Sequence, residues 1–348
     1  MIKYPFKCVI PAYYFSRPRF GARGNSSLLK GKFVVLLFVF SVLSFSSHAQ
    51  PVSENETIRV DAGLVDLNVS VFNLKNKEKI SALKKNDFAI FENGEAEEIT
   101  FFAEAETPFD LVLLLDLSGS TENKLKLIRK SSKKFIEAVR PTDRIAIATF
   151  TSELKILTPF TSDRKLLKQS VDRIEKPFGG TNFWDSLKFT LENIVVKGKQ
   201  TRRKAVVVMT DGVDNALPGV RGDGSQITFE DLLETVKRSD SIIIPVYLDT
   251  ETELLKKAPY LATPESYTMA REQLAQIADE SGSAVYRANK VEDLEGVYQQ
   301  VIRDLGTVYS IGYQPANNKR DGSWREVKVS LINKPELKIK TKRGYYAN

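Results

Sequence analysis

Two stretches of this chain leave little freedom in how it folds. Leu111-Val-Leu-Leu-Leu115 carries no polar side chain and runs straight into Asp116-Leu-Ser-Gly-Ser120. Ala205-Val-Val-Val-Met-Thr210 runs in the same way into Asp211-Gly212. A strand that is apolar on both faces must be covered on both faces, the situation of strands in a parallel sheet layered between helices. The surrounding sequence supplies those helices. Strands are predicted at 109–115, 144–150, 205–210, 241–248 and 284–287, with amphipathic helices at 123–139, 164–174, 182–195, 229–237, 269–280 and 291–305. The first helix sets Leu127, Ile128, Phe135, Ile136 and Val139 on one side, opposite a lysine-rich face. Such alternation gives right-handed crossovers and a Rossmann-like, doubly wound, mostly parallel α/β sheet. The piece 154–157 follows its predecessor too closely for a crossover and is expected as an antiparallel edge strand.

The flanks have another rhythm. Val65, Leu67, Val69 and Val71 alternate with Asp66, Asn68 and Ser70, the period of a half-buried strand. The segments 88–91 and 99–102 read as a hairpin closed by Asn93-Gly94. Beyond the α/β unit, 309–313, 324–331 and 337–341 are strand-like again. Neither flank can bury a comfortable core alone. The expectation is therefore a discontinuous β-sandwich, 50–106 plus 307–348, with the α/β unit 107–306 inserted in it.

Residues 1–49 belong to neither part. Lys30 and Lys32 precede an apolar run from Phe33 to Phe45, and Ser47-His48-Ala49 supplies small residues at −3 and −1 for cleavage before Gln50. The run is too short for an anchor, which needs ~20 apolar residues. This reads as a signal peptide, so the mature chain is expected to be exported, periplasmic or secreted, with no membrane span. The whole chain has 51 Lys+Arg against 44 Asp+Glu, a formal charge of +7. Seven of those basic residues and no acidic ones lie in 1–49, so the remainder is formally neutral and the basic charge implies no nucleic-acid partner. Cys8 and His48, the single cysteine and the single histidine, lie in the leader too. A mature chain without either excludes disulfides, catalytic thiols, Ser-His-Asp triads and nearly every zinc geometry. Metal chemistry there must use oxygen ligands, hence Mg²⁺, Ca²⁺ or Mn²⁺.

In an open α/β sheet, ligands bind beyond the carboxyl ends of the strands where the strand order reverses. If the strands at 109–115 and 205–210 are neighbours there, Asp116, Ser118, Ser120, Thr181 and Asp211 converge. Asp-x-Ser-x-Ser, a Thr after Gly179-Gly180, and a strand-terminal Asp-Gly resemble the metal-ion-dependent adhesion site of von Willebrand factor type A (VWA) domains. The likeness spans about 107–306. The flanks resemble the bacterial exported branch called VWFA-related, in Asp87-Phe-Ala-Ile-Phe-Glu-Asn-Gly94, Tyr309-x-x-Gly-Tyr313 and Arg343-Gly-Tyr345. The resemblance implies that Ser118, Ser120 and Thr181 bind Mg²⁺ directly, while Asp116 and Asp211 hold its waters and orient the hydroxyls. It also implies a non-enzymatic protein whose metal captures an Asp or Glu carboxylate from a protein partner. Two alternatives stand beside it: a metal-free scaffold of the cell envelope, and a Mg²⁺-assisted hydrolase, for which no general base is evident.

Other features have plainer readings. Ser118 or Ser120 could merely cap the following helix. Arg221-Gly-Asp223 is a chance meeting of loop residues, and the sequons at Asn55 and Asn68 matter only where glycosylation occurs. Asp185, Asp214 and Asp249 are expected as helix-terminus or solvated carboxylates, and Arg202-Arg-Lys204 as solvated.

Overall fold

The computed structural model describes residues 8–9, 63–73, 83–103, 107–175, 179–199 and 202–347, apart from the side chains of Cys8, Val9, Ser120, Glu122 and Asn123. The signal-peptide segment 33–49, its cleavage point and the sequon at Asn55 lie outside the described residues.

Along the chain, β1 (Cys8–Val9) is followed by four strands of the amino-terminal flank: β2 (Val65–Asn73), β3 (Phe88–Glu92), β4 (Glu95–Glu97) and β5 (Ile99–Ala103). The α/β unit then runs β6 (Phe109–Asp116), α1 (Leu125–Ala138), β7 (Arg144–Phe150), β8 (Leu154–Thr161), α2 (Arg164–Asp172), α3 (Phe183–Phe189), β9 (Arg203–Thr210), α4 (Phe229–Arg238), β10 (Ile242–Leu248), α5 (Glu251–Lys257), α6 (Pro264–Glu280), β11 (Tyr286–Ala288) and α7 (Leu294–Leu305). Four more strands close the chain: β12 (Val308–Tyr313), β13 (Trp324–Leu331), β14 (Leu337–Lys340) and β15 (Gly344–Tyr346).

The central sheet has the order β1-β8-β7-β6-β9-β10-β11. The strands β7, β6, β9, β10 and β11 are parallel, whereas β8 lies antiparallel on β7 and β1 runs with β8. Residues 8–9, which the sequence assigns to the leader, pair parallel with Leu154–Lys155, so β8 is not the outermost strand here. All eight residues of β6 are buried, and they alternate between two cores. Leu111, Leu113 and Leu115 meet Ile128 and Phe135 of α1, Leu167 of α2 and Val301 of α7. Val112 and Leu114 face Leu187 of α3, Leu232 of α4 and Leu274 of α6. The all-apolar strand is thus the centre of a three-layer unit, as its sequence required. Side-chain oxygens start the helices: Asp163 accepts from Lys165 N and Leu166 N, and Thr228 forms a capping box with Asp231. The predicted helix 182–195 is interrupted, passing from α3 into a π turn at Thr190–Ile194 and a 3₁₀ turn at Val195–Lys197.

The flanking strands form two four-stranded sheets, β14-β2-β12-β5 and β15-β13-β3-β4, over one core of Leu67, Val69, Phe88, Ile90, Tyr309 and Ile311. The chain is therefore a doubly wound α/β unit inserted in a β-sandwich. The Asn93-Gly94 turn has φ of 50° and 89°, the left-handed pair of a two-residue hairpin. Its second arm differs from expectation. The arm is the short β4, Glu92 pairing with Glu95, whereas Ile99–Ala103 crosses into the other sheet and pairs with β12.

Three separated segments meet inside the sandwich on one carboxylate. Glu92 is 4% exposed and accepts hydrogen bonds from the Tyr313 hydroxyl (2.7 Å) and the Tyr345 hydroxyl (2.8 Å), with Arg325 Nη1 at 3.1 Å. At the junction with the α/β unit, Arg203 donates to the carbonyls of Thr107 and Val308, the connections into and out of the insert, and stacks 4.1 Å over the Phe109 ring. Burial pushes its guanidinium down to about 9. Arg202 donates to Asp110 at 2.7 Å. The expectation that 202–204 is simply solvated is therefore wrong for both arginines. Their carbonyl and carboxylate partners come from distant segments.

Candidate metal centre

Asp116 ends β6 and is fully buried. In the register of β6 on β9, Leu115 pairs with Met209, which sets Asp116 beside Thr210 and one residue short of Asp211. The two strands are neighbours, and β7 and β10 lie on opposite sides of them, so this is the place where the order reverses. After Asp116, Leu117 N still bonds Phe150 O, and Ser118 then turns the chain into the 3₁₀ turn Gly119–Lys124. Thr121 holds that turn through its amide (2.9 Å) and its hydroxyl (2.8 Å), both on Ser118 O. The Ser118 side chain does not cap the turn; its hydroxyl and its amide both bond the Asp116 carboxylate. Ser120 lies in the same turn, and its side chain is outside the described atoms.

The third segment arrives through glycines. Gly179 has φ +110°, and a Cβ on Gly180 would sit 2.5 Å from Asn215 Nδ2 and push that amide away. This close approach lets Asn215 Oδ1 accept from Thr181 N at 3.1 Å while Asn215 N donates to Thr181 O at 2.9 Å. Asn215 lies on the loop that begins at Asp211, so Thr181 is fastened to the end of β9. Thr181 is 5% exposed and Ser118 4%.

The two carboxylates are held alike. Asp116 takes Ser118 N on Oδ1 at 2.9 Å and the Thr210 hydroxyl on Oδ2 at 2.6 Å. Asp211 takes Val213 N on Oδ1 at 3.2 Å and the Thr250 hydroxyl on Oδ2 at 2.6 Å. Each therefore has one backbone donor two residues on and one threonine from a neighbouring element. Tyr267 backs the second, its hydroxyl 3.2 Å from Thr250 Oγ1. Thr210 cannot turn away, because its oxygen also accepts from Gly212 N at 2.8 Å.

The electrostatics follow from burial. Loss of solvent, then the charge of Asp211, push Asp116 up to about 7, against hydrogen bonds from Thr210 and Ser118 that favour the anion. Three other carboxylates of this rim are paired with bases: Glu253 with Lys124 (2.5 Å), Glu251 with Arg271 (2.6 Å) and Asp249 with Arg287 (2.5 Å). Two buried acids, the second raising the proton affinity of the first, with neutral hydroxyls beside them, suit a hard divalent cation. Asp116, Ser118, Thr181 and Asp211 would hold it together with Ser120. Among the described residues there is no group of three or more His, Cys, Asp or Glu side chains placed for a metal, so hydroxyls would have to complete the set.

Sequence reasoning missed Thr210, Thr250 and Asn215, which hold Asp116, Asp211 and Thr181 in place. Two acids expected as helix-terminus or solvated carboxylates are the former, both at the amino end of α3. Asp214 is fully buried and accepts from Trp184 N (3.0 Å), Ala216 N (2.8 Å), Ser225 N (3.0 Å) and Ser225 Oγ (2.6 Å). Asp185, 7% exposed, takes Gln226 N at 2.9 Å and Ile227 N at 3.3 Å. Both stitch the 213–227 loop to α3 and neither is solvated. Asp249 is partly exposed on Arg287. The available signal was Thr210 itself, a polar residue ending an otherwise apolar strand just before Asp211.

Comparison with known proteins agrees with this geometry. The von Willebrand factor type A domain profile matches residues 110–300. An uncharacterized protein of Borreliella burgdorferi is 21% identical over 237 residues, covering 65% of this chain and 62% of that protein. Calcium-activated chloride channel regulator 3A-1 of Mus musculus is 24% identical over 259 residues, covering 67% of this chain and 25% of that protein. The chain thus spans less than two thirds of the length of either relative. Among solved structures, the vWF domain of the type V pili tip protein Mfa5 from Porphyromonas gingivalis aligns with a TM-score of 0.43 at 14% identity, covering 57% of this chain and 94% of that one. With the profile matched over more than half its length and the sheet order, strand ends and acid pair in place, the chain belongs to the von Willebrand factor type A domain family.

Proposed function

We propose that this is an exported, non-catalytic interaction protein in which Mg²⁺, or Mn²⁺ or Ca²⁺ in its place, is held by Asp116, Ser118, Ser120, Thr181 and Asp211. The ion then takes a carboxylate from a protein partner. The observation that carries this reading is the buried Asp116–Asp211 pair, whose mutual repulsion a divalent cation relieves. The proposed direct ligands are three neutral hydroxyls, so the ion keeps most of its charge toward solvent and favours an anionic sixth ligand over water. Export rests on the leader, whose removal before Gln50 would also remove β1 and leave β8 as the sheet edge. Among the described residues no helix is long and apolar enough to cross a membrane.

The test is a partner pull-down from envelope extract with the full mature chain. Capture should fail in EDTA, return with Mg²⁺ or Mn²⁺, and be lost in Thr181→Ala although that variant folds. A partner held equally well by Thr181→Ala in EDTA would transfer the function to a metal-free scaffold. One observation favours that second reading. The threonine hydroxyls and backbone amides already satisfy both carboxylates, and a protonated Asp116 makes the ion-free site tolerable near neutral pH.

A further inference from the structure

Beside the metal centre stands a crest formed by two loops, 217–224 and 258–261. Its backbone is clamped from both sides: Arg221 N donates to Leu261 O at 2.9 Å, and Arg221 O accepts from Asn215 Nδ2 at 3.0 Å. Asn215 is the residue whose other amide atom binds Thr181 N, so the crest and the proposed metal ligand share one rigid link. The loop also wedges against the glycine turn, with Asp223 O 3.4 Å from where a Cβ of Gly180 would lie.

What the crest presents is unusual for this rim. Tyr260 is 65% exposed, and the Arg221 guanidinium lies over its ring at 5.8 Å. The neighbouring bases Lys124, Arg271 and Arg287 are each spent on a carboxylate of the chain itself. Among the described residues no ion pair involves Arg221. Asp223, two residues on, is exposed and makes none with it. An exposed arginine on an exposed tyrosine, on backbone already fixed before any partner arrives, has the composition and preorganisation of a binding hot spot.

We infer that Arg221 and Tyr260 form a second subsite that reads an additional carboxylate on the partner, next to the one that ligates the metal. The recognised element is an acidic protein segment with two carboxylates, one for the ion and one for the guanidinium, its aliphatic stem lying on Tyr260. This rests on the metal-capture reading above and adds a specificity to it. A segment carrying a single acid would bind the ion but leave Arg221 unused. A basic segment would be repelled by both ion and guanidinium.

The experiment uses a displayed library of random heptapeptides, selected on the full mature chain in Mg²⁺ and eluted with EDTA. The expected pool is enriched in peptides with two acidic residues. The same selection on Arg221→Glu should replace one of the two with Lys or Arg. A synthetic peptide from the first pool should bind Arg221→Ala about ten- to a hundredfold more weakly, the loss typical of a charged hydrogen bond. The Mg²⁺-induced rise in melting temperature should be the same in Arg221→Ala, Tyr260→Ala and the parent. An EDTA-eluted pool with a single acid, unchanged in Arg221→Glu, overturns the subsite and leaves the metal reading standing. A pool that EDTA does not elute overturns both. A Mg²⁺ response lost in Arg221→Ala would make the crest part of the metal site and end its role as a separate subsite.

Discussion

Glu92 in the sandwich and Asp116 at the sheet edge are both carboxylates sealed from water, and the chain answers them in opposite ways. Glu92 is met by a guanidinium as well as two phenol hydroxyls, and opposite charges share the buried space. Asp116 is met by neutral donors, and the nearest charge acting on it is another carboxylate. The first arrangement is complete as it stands and ties together strands from both ends of the chain. The second is a deficit that an ion from solution can fill. The difference separates a buried charge that serves the fold from one that serves binding.

The largest effect is expected in the sandwich. Arg325→Met leaves Glu92 buried without its cation and should cost about 3–5 kcal/mol in denaturant unfolding, while Glu92→Gln with Arg325→Met should recover much of it. If the single variant unfolds like the parent, the pair is not what holds the two flanks together.

The sheet edge should reveal itself through pH. The unfolded pKa of Asp116 is the ordinary carboxylate value, and its folded value lies near 7, so the folded ion-free protein binds the extra proton between them. Stability without metal is therefore highest at and below about pH 4 as far as this group is concerned. It falls as pH rises toward 7, by at most about 1.4 kcal/mol per pH unit. Asp116→Asn should flatten that slope in a pH series of melts in EDTA. A slope unchanged by the substitution would mean that other groups set it. Magnesium affinity should rise over the same interval, because the ion competes with the proton.

Next comes the ion itself. At a hundredfold excess over Kd, Mg²⁺ should stabilise the protein by about 2.7 kcal/mol, and Asp116→Ala or Asp211→Ala should abolish this without loss of the fold. An undiminished metal-induced melting shift in both variants would place the ion elsewhere. The smallest change is expected from Thr250→Val, which removes the hydroxyl on Asp211 Oδ2. Supporting groups of this kind are typically worth tenfold or more in metal affinity, and titration calorimetry would read it. No change would make Thr250 a packing residue only.

How much of this the sequence carried depends on where each partner lies along the chain. Leu111–Asp116 and Ala205–Asp211 are local patterns, and they were enough for the sheet and for the two acids. The helix α5 left no such pattern, since none of its residues is buried and it has no apolar stripe to reveal it. The hairpin was misassigned because Ile99-Thr-Phe-Phe102 is the better strand former, while the real partner of β3 is the unpromising Glu95-Ala-Glu97. Asp214, Asp185 and Arg203 look like surface residues in one dimension. They are buried by Ser225, by the amides of Gln226 and Ile227, and by the carbonyls of Thr107 and Val308, and such desolvation by remote segments leaves no trace in residue spacing. Thr250 is hidden for the same reason, being placed by β10 and Tyr267 rather than by the motif.

The connections held by Arg203 have a mechanical consequence. The chain leaves the sandwich after β5 and returns to it at β12, and these are adjacent antiparallel strands, with Ala103 opposite Ser310. Both connections to the insert thus depart from one spot, under one guanidinium. A pull between Val65 and Tyr346 is carried first by β15 on β13, where Tyr346 faces Trp324, and then across the ladder from β2 to β14, where Ser70 faces Lys340 and Asn73 faces Leu337. The inserted sheet with its acid pair stands outside that line of force. Because β2 and β14 are antiparallel and are drawn from the same end, their pairs open one after another like a zip. Under tension the sandwich is expected to yield like a fuse before the ion-binding edge is loaded.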